Sequence, residues 1–364
     1  MEKAAAAAKR VSVIRTYMSE HQIDCALISS YPNRRYLTFL NSDNGYVFIT
    51  QTDFVLLTDR RYFEQARIET EGVCRIIEQT KGRIATTAEY FKTLGKVRRI
   101  LVEGTMELDE YLSLKEAVFG DAEVVTDHDF FFELRAVKEA WDMENIKSAI
   151  ACSDRVFSRL VPQLKIGMTE RDIADEMQYL ALKEGADSLS FPTIVAAGER
   201  SAMAHATPSR RRIADGDFVV IDFGVFWNGY SSDTTRTIRF GKIDPEKQRI
   251  YDLVAKAQEA AIAKAGNNVP ANEVELAHRM VFRDAGMEQY ALRGLGHGIG
   301  LQVWEGPGVA MGTPVILKTG MVFTCEPGLY LDGFCGVRIE DDVEITDTGS
   351  VVLTRTPRDI HITQ

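Results

Sequence analysis

Two stretches of the chain concentrate carboxylates on what read as β-hairpins. In "DFVVIDFGVFWNGYSSDTTRTIRF", residues 217–240, two β-rich runs flank an Asn-Gly turn signal. Asp222 lies on the first run and Asp233 on the second. A turn centred between Trp227 and Asn228 sets the two aspartates face to face, and a turn one residue later makes them diagonal neighbours. In "GMVFTCEPGLYLDGFCGVRIEDDVEIT", residues 320–346, Glu326 ends one strand-like run and Glu340 lies in another, with Gly333 midway between them. Facing β-carbons lie about 4.5–5.5 Å apart, where like charges repel. Carboxylates so placed need a cation or a shared proton. Between the two hairpins lies "LRGLGHGIGLQVWEGPG", residues 292–308, which sets His297 among glycines and Trp304 seven residues later.

Four carboxylates and one imidazole form a hard, oxygen-rich donor set. It suits Mn2+, Co2+ or Fe2+ better than a structural zinc held by cysteines. Five side chains exceed what one catalytic ion uses, so two ions about 3.5–4 Å apart, sharing carboxylates, are the natural reading. The competing reading is structural. Asp233 then caps a turn, and Glu340 belongs with the acidic run "EDD" to a solvated face. Residue types and spacing leave both readings open.

The elements that would carry these residues fall into two groups. Early in the chain, "DCALISS", "GYVFITQTDFVLLTD" and "RRILVEG" read as strands. "RRYFEQARIE", "TAEYFKTLGK" and "MELDEYLSLKEAV" read as helices. That alternation predicts a small α/β domain. Residues 131–164 read as one long, charged helix, with the domain boundary near residues 136–139. Two further helices are expected at "TERDIADEMQYLALKEGA", started by Thr169 and Asp172, and at "PEKQRIYDLVAKAQEAAIAKAG".

Composition narrows the classes. A chain of 364 residues with 45% hydrophobic content is long enough for two buried cores. Net charge of −10 argues against nucleic acid and against anionic membrane surfaces as partners. No apolar run reaches the roughly 18 residues needed to span a bilayer. The N-terminal alanine run reads as a helix rather than a signal peptide. Five scattered cysteines without a CxxC fit reduced thiols and a cytoplasmic setting. There are six histidines, His21, His128, His205, His278, His297 and His361, so a site needing several imidazoles draws on a short list.

"IDFGVFWNGYSSDTTRT", "LGHGIGL", "TCEPGLY" and "GVRIEDDV" resemble, in order and spacing, the ligand motifs of the dinuclear metallopeptidases that include methionine aminopeptidase, aminopeptidase P and prolidase. Metal-free creatinase shares their fold. "NRRYLTFLNSDNGYVFIT" and "LLTDRRYFEQA" resemble the additional N-terminal domain of prolidase, aminopeptidase P and creatinase. The resemblance implies a mixed α/β (α+β) architecture. Residues 1–136 would form a creatinase/prolidase-like α/β domain, and residues 137–364 a catalytic domain of the pita-bread fold. It implies Asp222, Asp233, His297, Glu326 and Glu340 as ligands of two divalent ions, with Asp233 and Glu340 bridging. Mn2+ comes first among these ions, with Co2+, Fe2+ or Zn2+ as alternatives. It further implies that Glu326 moves the proton of the attacking water and that His205, in "AMAHATPSRRRI", donates to the substrate or its developing oxyanion. Arg338 matches an arginine that lines the site. The family tends to form homodimers.

Two positions depart from the family. Prolidase-like members usually read Val-His-Glu where this chain reads Val303-Trp304-Glu305. An indole offers one N–H donor and no acid–base function, so Trp304 is expected as an apolar wall of the substrate pocket. Arg293 stands where some members have histidine. The resulting expectation is a hydrolase of short peptides, an Xaa-Pro dipeptidase or Xaa-Pro aminopeptidase. The alternative is the same fold acting as a hydrolase or lyase on a small non-peptide amide or related metabolite.

Overall fold

The computed structural model describes residues 3–363; the outermost positions of the two expected domains, 1, 2 and 364, lie outside the described residues. The chain divides into two compact units, Met1–Leu134 and Arg135–Gln364. In the first, six strands form a sheet in the order Arg75–Glu78, Phe54–Thr58, Tyr46–Ile49, Cys25–Ile28, Arg99–Val102, Glu123–Thr126. The strands Cys25–Ile28 and Tyr46–Ile49 are buried along their whole length, and Arg99–Val102 beyond its first residue, as expected of a sheet covered on both faces. Sequence patterning missed the outer strands Arg75–Glu78 and Glu123–Thr126 and the helix Tyr31–Thr38. The first two are half-exposed edges of only four residues, too short for an alternating pattern to stand out.

The second unit carries the acids. Its helices include Ala140–Leu160, Glu170–Lys183, Pro245–Lys264 and Ala271–Asp284. The long helix expected over residues 131–164 is instead interrupted. A short helix, His128–Glu133, ends the first unit, and Ala140–Leu160 begins afresh with a capping box between Glu139 and Asp142. Residues 134–136 form a turn and the chain then runs alongside residues 320–321: the Lys138 N–H donates to the Gly320 carbonyl at 2.9 Å, and Val137 pairs with Met321. The Thr169–Asp172 cap is present as expected, but helix Ala271–Asp284 was not anticipated.

One antiparallel sheet of this unit runs His361–Ile362, Thr234–Phe240, Phe218–Phe223, Ile194–Ala197. A second runs Glu305–Val309, Gly296–Gly298, Val322–Cys325, Asp341–Thr346, Gly349–Val352. Phe218, Phe223, Phe240 and Phe323 are fully buried in these sheets. Each contributes about 1.5–3 kcal/mol by leaving water, which anchors the strands that must hold charged groups nearby.

The hairpin registers decide how the acids meet. The first turn is Asn228-Gly229, both with positive φ (45° and 71°), as a two-residue hairpin loop requires. Trp227 therefore pairs with Tyr230, and Thr235, not Asp233, sits opposite Asp222. The face-to-face register is thus corrected: Asp222 and Asp233 are diagonal neighbours, because the loop is Asn-Gly itself. In the second hairpin the expectation holds. Cys325 pairs with Asp341 and Gly328 with Arg338, so Glu326 faces Glu340 about Gly333.

Candidate metal centre

Each acid stands at or beside the end of a strand, where the ladder opens and side chains can converge. Asp222 lies near the end of Phe218–Phe223, Asp233 just before Thr234–Phe240, Glu326 just after Val322–Cys325 and Glu340 just before Asp341–Thr346. One carboxylate oxygen from each of Asp222, Asp233 and Glu340 lies within 4.8 Å of the others. His297 joins them: its Nε2 is 3.7 Å from Asp233 Oδ2 and 3.4 Å from Glu326 Oε1. All five residues singled out in the sequence are therefore brought together. They form the floor of a cavity of about 430 Å³ that His205, Trp304 and residues 191–194 also line.

His297 occupies a three-residue strand threaded between two others. A Cβ on Gly296 would collide with the Thr324 carbonyl, and one on Gly298 with the Gly306 carbonyl. The glycines thus let the neighbouring strands close on the histidine. Its Nδ1 faces the Gly298 carbonyl at 3.2 Å. A proton on Nδ1 leaves the Nε2 lone pair directed at the carboxylates, the tautomer a metal ligand needs. Burial lowers the imidazole pKa to about 4, so the ring is neutral at ordinary pH.

The acids are buried and mutually repelling. Burial, then the charges of Glu340, Asp222 and Glu326, push Asp233 well above the usual carboxylate range. Burial and the Glu326 and Asp222 charges do the same to Glu340. Glu326, a quarter exposed, is pushed up to about 7, chiefly by burial. Asp222 Oδ1, Asp233 Oδ1 and Glu340 Oε1 are buried without a hydrogen-bond partner. Each orphaned oxygen costs about 1–3 kcal/mol. Divalent cations would satisfy all three, and a set of four carboxylates and one neutral imidazole fits them chemically.

Other side chains hold the acids in place. Arg338 Nη2 donates to Asp222 Oδ2 at 2.6 Å, while its Nη1 donates to the Tyr330 hydroxyl at 2.8 Å. The guanidinium is 3% exposed and grips the carboxylate from behind, outside the residues that line the cavity. The expected site-lining arginine is thus a support for Asp222. The structural alternatives also change. Glu340 and both aspartates of "EDD" are buried rather than solvated, and Asp341 pairs with Arg236 and Arg358.

Two residues the sequence reading passed over support the floor from outside the cavity lining. Thr235 Oγ1 donates to Glu340 Oε2 at 2.6 Å and accepts from Arg338 Nε at 3.0 Å. Thr324 Oγ1 accepts the His297 N–H at 3.0 Å and donates to Glu326 Oε1 at 2.9 Å. Each lies two residues from a site acid on a strand, hence on the same face. That two-residue offset was the available signal.

The rim differs. His205 sits in an exposed loop after Gly198–Ala202. Trp304 is 72% exposed, its ring centroid 4.9 Å from that of His297 and tilted by 41°. It therefore borders the cavity beside the histidine. Arg293 is exposed and lies outside the cavity lining.

Residues 144–347 match the family described as Metallopeptidase family M24, and residues 10–137 match the Creatinase/Prolidase N-terminal domain. The chain is similar to an Xaa-Pro dipeptidase of Pyrococcus horikoshii, 32% identical over 97% of this chain and 98% of the relative. Among solved structures it is similar to an Xaa-Pro dipeptidase from Bacillus anthracis, 33% identical, covering 98% and 99% of the two chains with a TM-score of 0.94. It is also similar to an X-Pro aminopeptidase from Thermotoga maritima, 33% identical, covering 97% and 99% with a TM-score of 0.88.

Proposed function

The chain belongs to metallopeptidase family M24 and is a metal-dependent peptidase, and from that premise we propose that it hydrolyses the Xaa-Pro bond of short peptides, dipeptides before longer ones. The observation that carries this reading is the convergence of Asp222, Asp233, His297, Glu326 and Glu340 on the floor of one cavity. The names of the similar proteins supply the Xaa-Pro preference. They favour a peptide over the non-peptide amide that Trp304 raised as an alternative.

In this reading the five residues would hold two divalent ions, with Asp233 and Glu340 as the ligands that both would use. Mn2+ fits the oxygen-rich set best, ahead of Co2+, Fe2+ and Zn2+. Bound ions supply a nucleophile at neutral pH and polarise the scissile carbonyl. The protein's own residues do the rest. Glu326, the most exposed of the four acids, would take the proton of the attacking water and pass it on to the leaving group. His205 donates from the rim to the oxygen that gains charge. Arg338 holds Asp222 at a fixed angle without touching substrate. Trp304 forms an apolar wall beside His297.

The reading extends to the chain as a whole. Residues 1–136 form the N-terminal domain and residues 137–364 the catalytic one. The five cysteines are unpaired, which supports a cytoplasmic setting. No helix among the described residues is long and apolar enough to cross a membrane. The homodimer implied by the resemblance and the absence of a nucleic-acid partner belong to the same reading. The test is a substrate panel with Mn2+-loaded protein: Xaa-Pro dipeptides, Xaa-Pro tripeptides, N-blocked dipeptides and simple amides. Release of the first residue from unblocked Xaa-Pro substrates is expected, and turnover confined to the non-peptide amides overturns the proposal.

A further inference from the structure

Residues 292–294 lead directly into the strand that bears His297, yet side chains of a neighbouring helix, not a strand ladder, tie them down. Glu275 and Arg279 lie four residues apart on helix Ala271–Asp284, and Arg279 Nε donates to Glu275 Oε1 at 2.6 Å. From this joined pair, Arg279 Nη2 donates to the Leu292 carbonyl at 3.0 Å, and Glu275 Oε1 accepts the Gly294 N–H at 3.3 Å. The two bonds grip the peptide groups on either side of Arg293. The Glu275 carboxylate is fully buried and Arg279 is 14% exposed, whereas the Leu292 end of the grip is open to solvent. Gly294 has φ +88°, a left-handed turn that redirects the chain into the site.

The segment so held reaches two site residues at once. His297 is three residues beyond Gly294, and the Leu295 carbonyl accepts the Glu326 N–H at 3.0 Å. Glu275 touches neither cavity nor acids, and a surface helix has no need of a fully buried carboxylate for solubility. We propose that the Glu275–Arg279 pair is a positioning device for metal binding: it sets the backbone of residues 292–295, and through it the placing of His297 and Glu326. This rests on the reading of those two residues as ligands.

The experiment uses the full chain and two readouts, the dissociation constant for Mn2+ by competition titration and the thermal midpoint of the metal-free protein. The visible spectrum of Co2+-loaded protein reports the coordination of the histidine. Outer partners of metal ligands typically change affinity by about ten- to a hundredfold. Glu275→Ala is expected to weaken Mn2+ binding within that range and to alter the Co2+ bands. Glu275→Gln, which keeps an acceptor for Gly294, should recover part of the loss. If Glu275→Ala fails to fold, Arg279→Gln, which cuts the Leu292 tie and the pairs to Glu275 and Glu288 but leaves the acceptor for the Gly294 N–H, is read in its place, with a loss of severalfold expected. Lowered thermal midpoints with unchanged Mn2+ affinity and unchanged Co2+ bands overturn the proposal. Failure of the wild-type chain itself to bind Mn2+ would instead overturn the ligand reading on which it rests.

Discussion

Asp222, Asp233 and Glu340 on the floor of the cavity are each less than a tenth exposed, whereas Trp304 on its rim is 72% exposed and His205 stands in an open loop. Every floor acid is tied into the scaffold: Asp222 by Arg338, Glu340 by Thr235, Glu326 by Thr324, and Asp233 through its own N–H to Asp342. The rim residues project from loops. The floor gathers like charges at a cost in desolvation that cations or bound protons relieve, so its geometry must be imposed by the fold. The rim carries no such cost and is free to vary in chemistry. The floor therefore speaks to reaction type, and the rim to which substrate is taken.

The largest effects should come from breaking the floor. Asp233→Ala or Glu340→Ala is expected to remove both ions together and abolish peptidase activity, whereas Asp222→Ala should leave one ion partly bound. Elemental analysis after Mn2+ reconstitution and gel filtration checks this. Independent loss of single ions in the first two variants would break the idea of shared ligands.

The floor also makes a statement about pH in the metal-free protein. Asp233, Glu340 and Asp342 are raised well above ordinary carboxylates by burial, and Glu326 to about 7. A carboxyl raised in the folded state binds its proton more tightly there than in the unfolded chain. Its stabilising effect is lost as pH rises through the folded value. His297 and His278, both lowered to about 4 by burial, oppose this below about pH 6.5 but are neutral in both states above it. As pH rises from about 6.5 through about 7, the thermal midpoint of metal-free protein should therefore fall, and saturating Mn2+ should remove most of the slope. A flat profile without metal would mean that the acids are not coupled as the floor requires.

His205 is where the comparison is sharpened, since it lies on the rim and is assigned a part in the chemistry. His205→Ala is expected to lower kcat by roughly 10²–10³, the scale for loss of an oxyanion donor, with two ions still bound. Unchanged kcat and KM would return His205 to an ordinary loop residue.

The two regions were unequally legible in the sequence. The floor could be read because strand periodicity and turn chemistry are local: Asn228-Gly229 and Gly333 mark the hairpins, and acids at matching depths follow. Of the two registers open for the first hairpin, the structure takes the later one, with the aspartates diagonal, because Asn-Gly itself is the two-residue loop. Arg338 could be seen but not oriented, because its partner Asp222 is 116 residues distant in the chain. The break at residues 135–139 was hidden for the same reason: a strand-like contact to residues 320–321 overrides helical spacing. Helix Ala271–Asp284 was legible in principle, since Ala271, Val274, His278 and Phe282 recur at helical spacing, but its grip on residues 292–294 left only an acid and an arginine four apart, which many solvated helices carry.

The smallest expected effect lies at Trp304. Its indole stands against the His297 ring, and Val303, Phe191, Pro192 and Ile194 line the same cavity. The loop that presents it is fixed from beneath. Glu305 is buried against Arg135 and Lys138, and Ser231 Oγ donates to the carbonyls of Gly300 and Gln302, both at 3.1 Å. A ring held this way is preorganised to meet an apolar surface, and it loses little entropy on doing so. It has no acceptor and cannot exchange a proton with substrate. A hydrogen bond to a charged group is worth about 1.5–3 kcal/mol, or roughly ten- to a hundredfold in rate. Trp304→His should therefore raise kcat/KM on a small Xaa-Pro dipeptide such as Ala-Pro by about tenfold, and reduce the preference for Phe-Pro or Leu-Pro over Ala-Pro. Metal content should not change, because the floor does not depend on the indole. If wild type and variant handle the whole panel alike, the rim at this position does not select substrate, and the division between floor and rim must be drawn elsewhere.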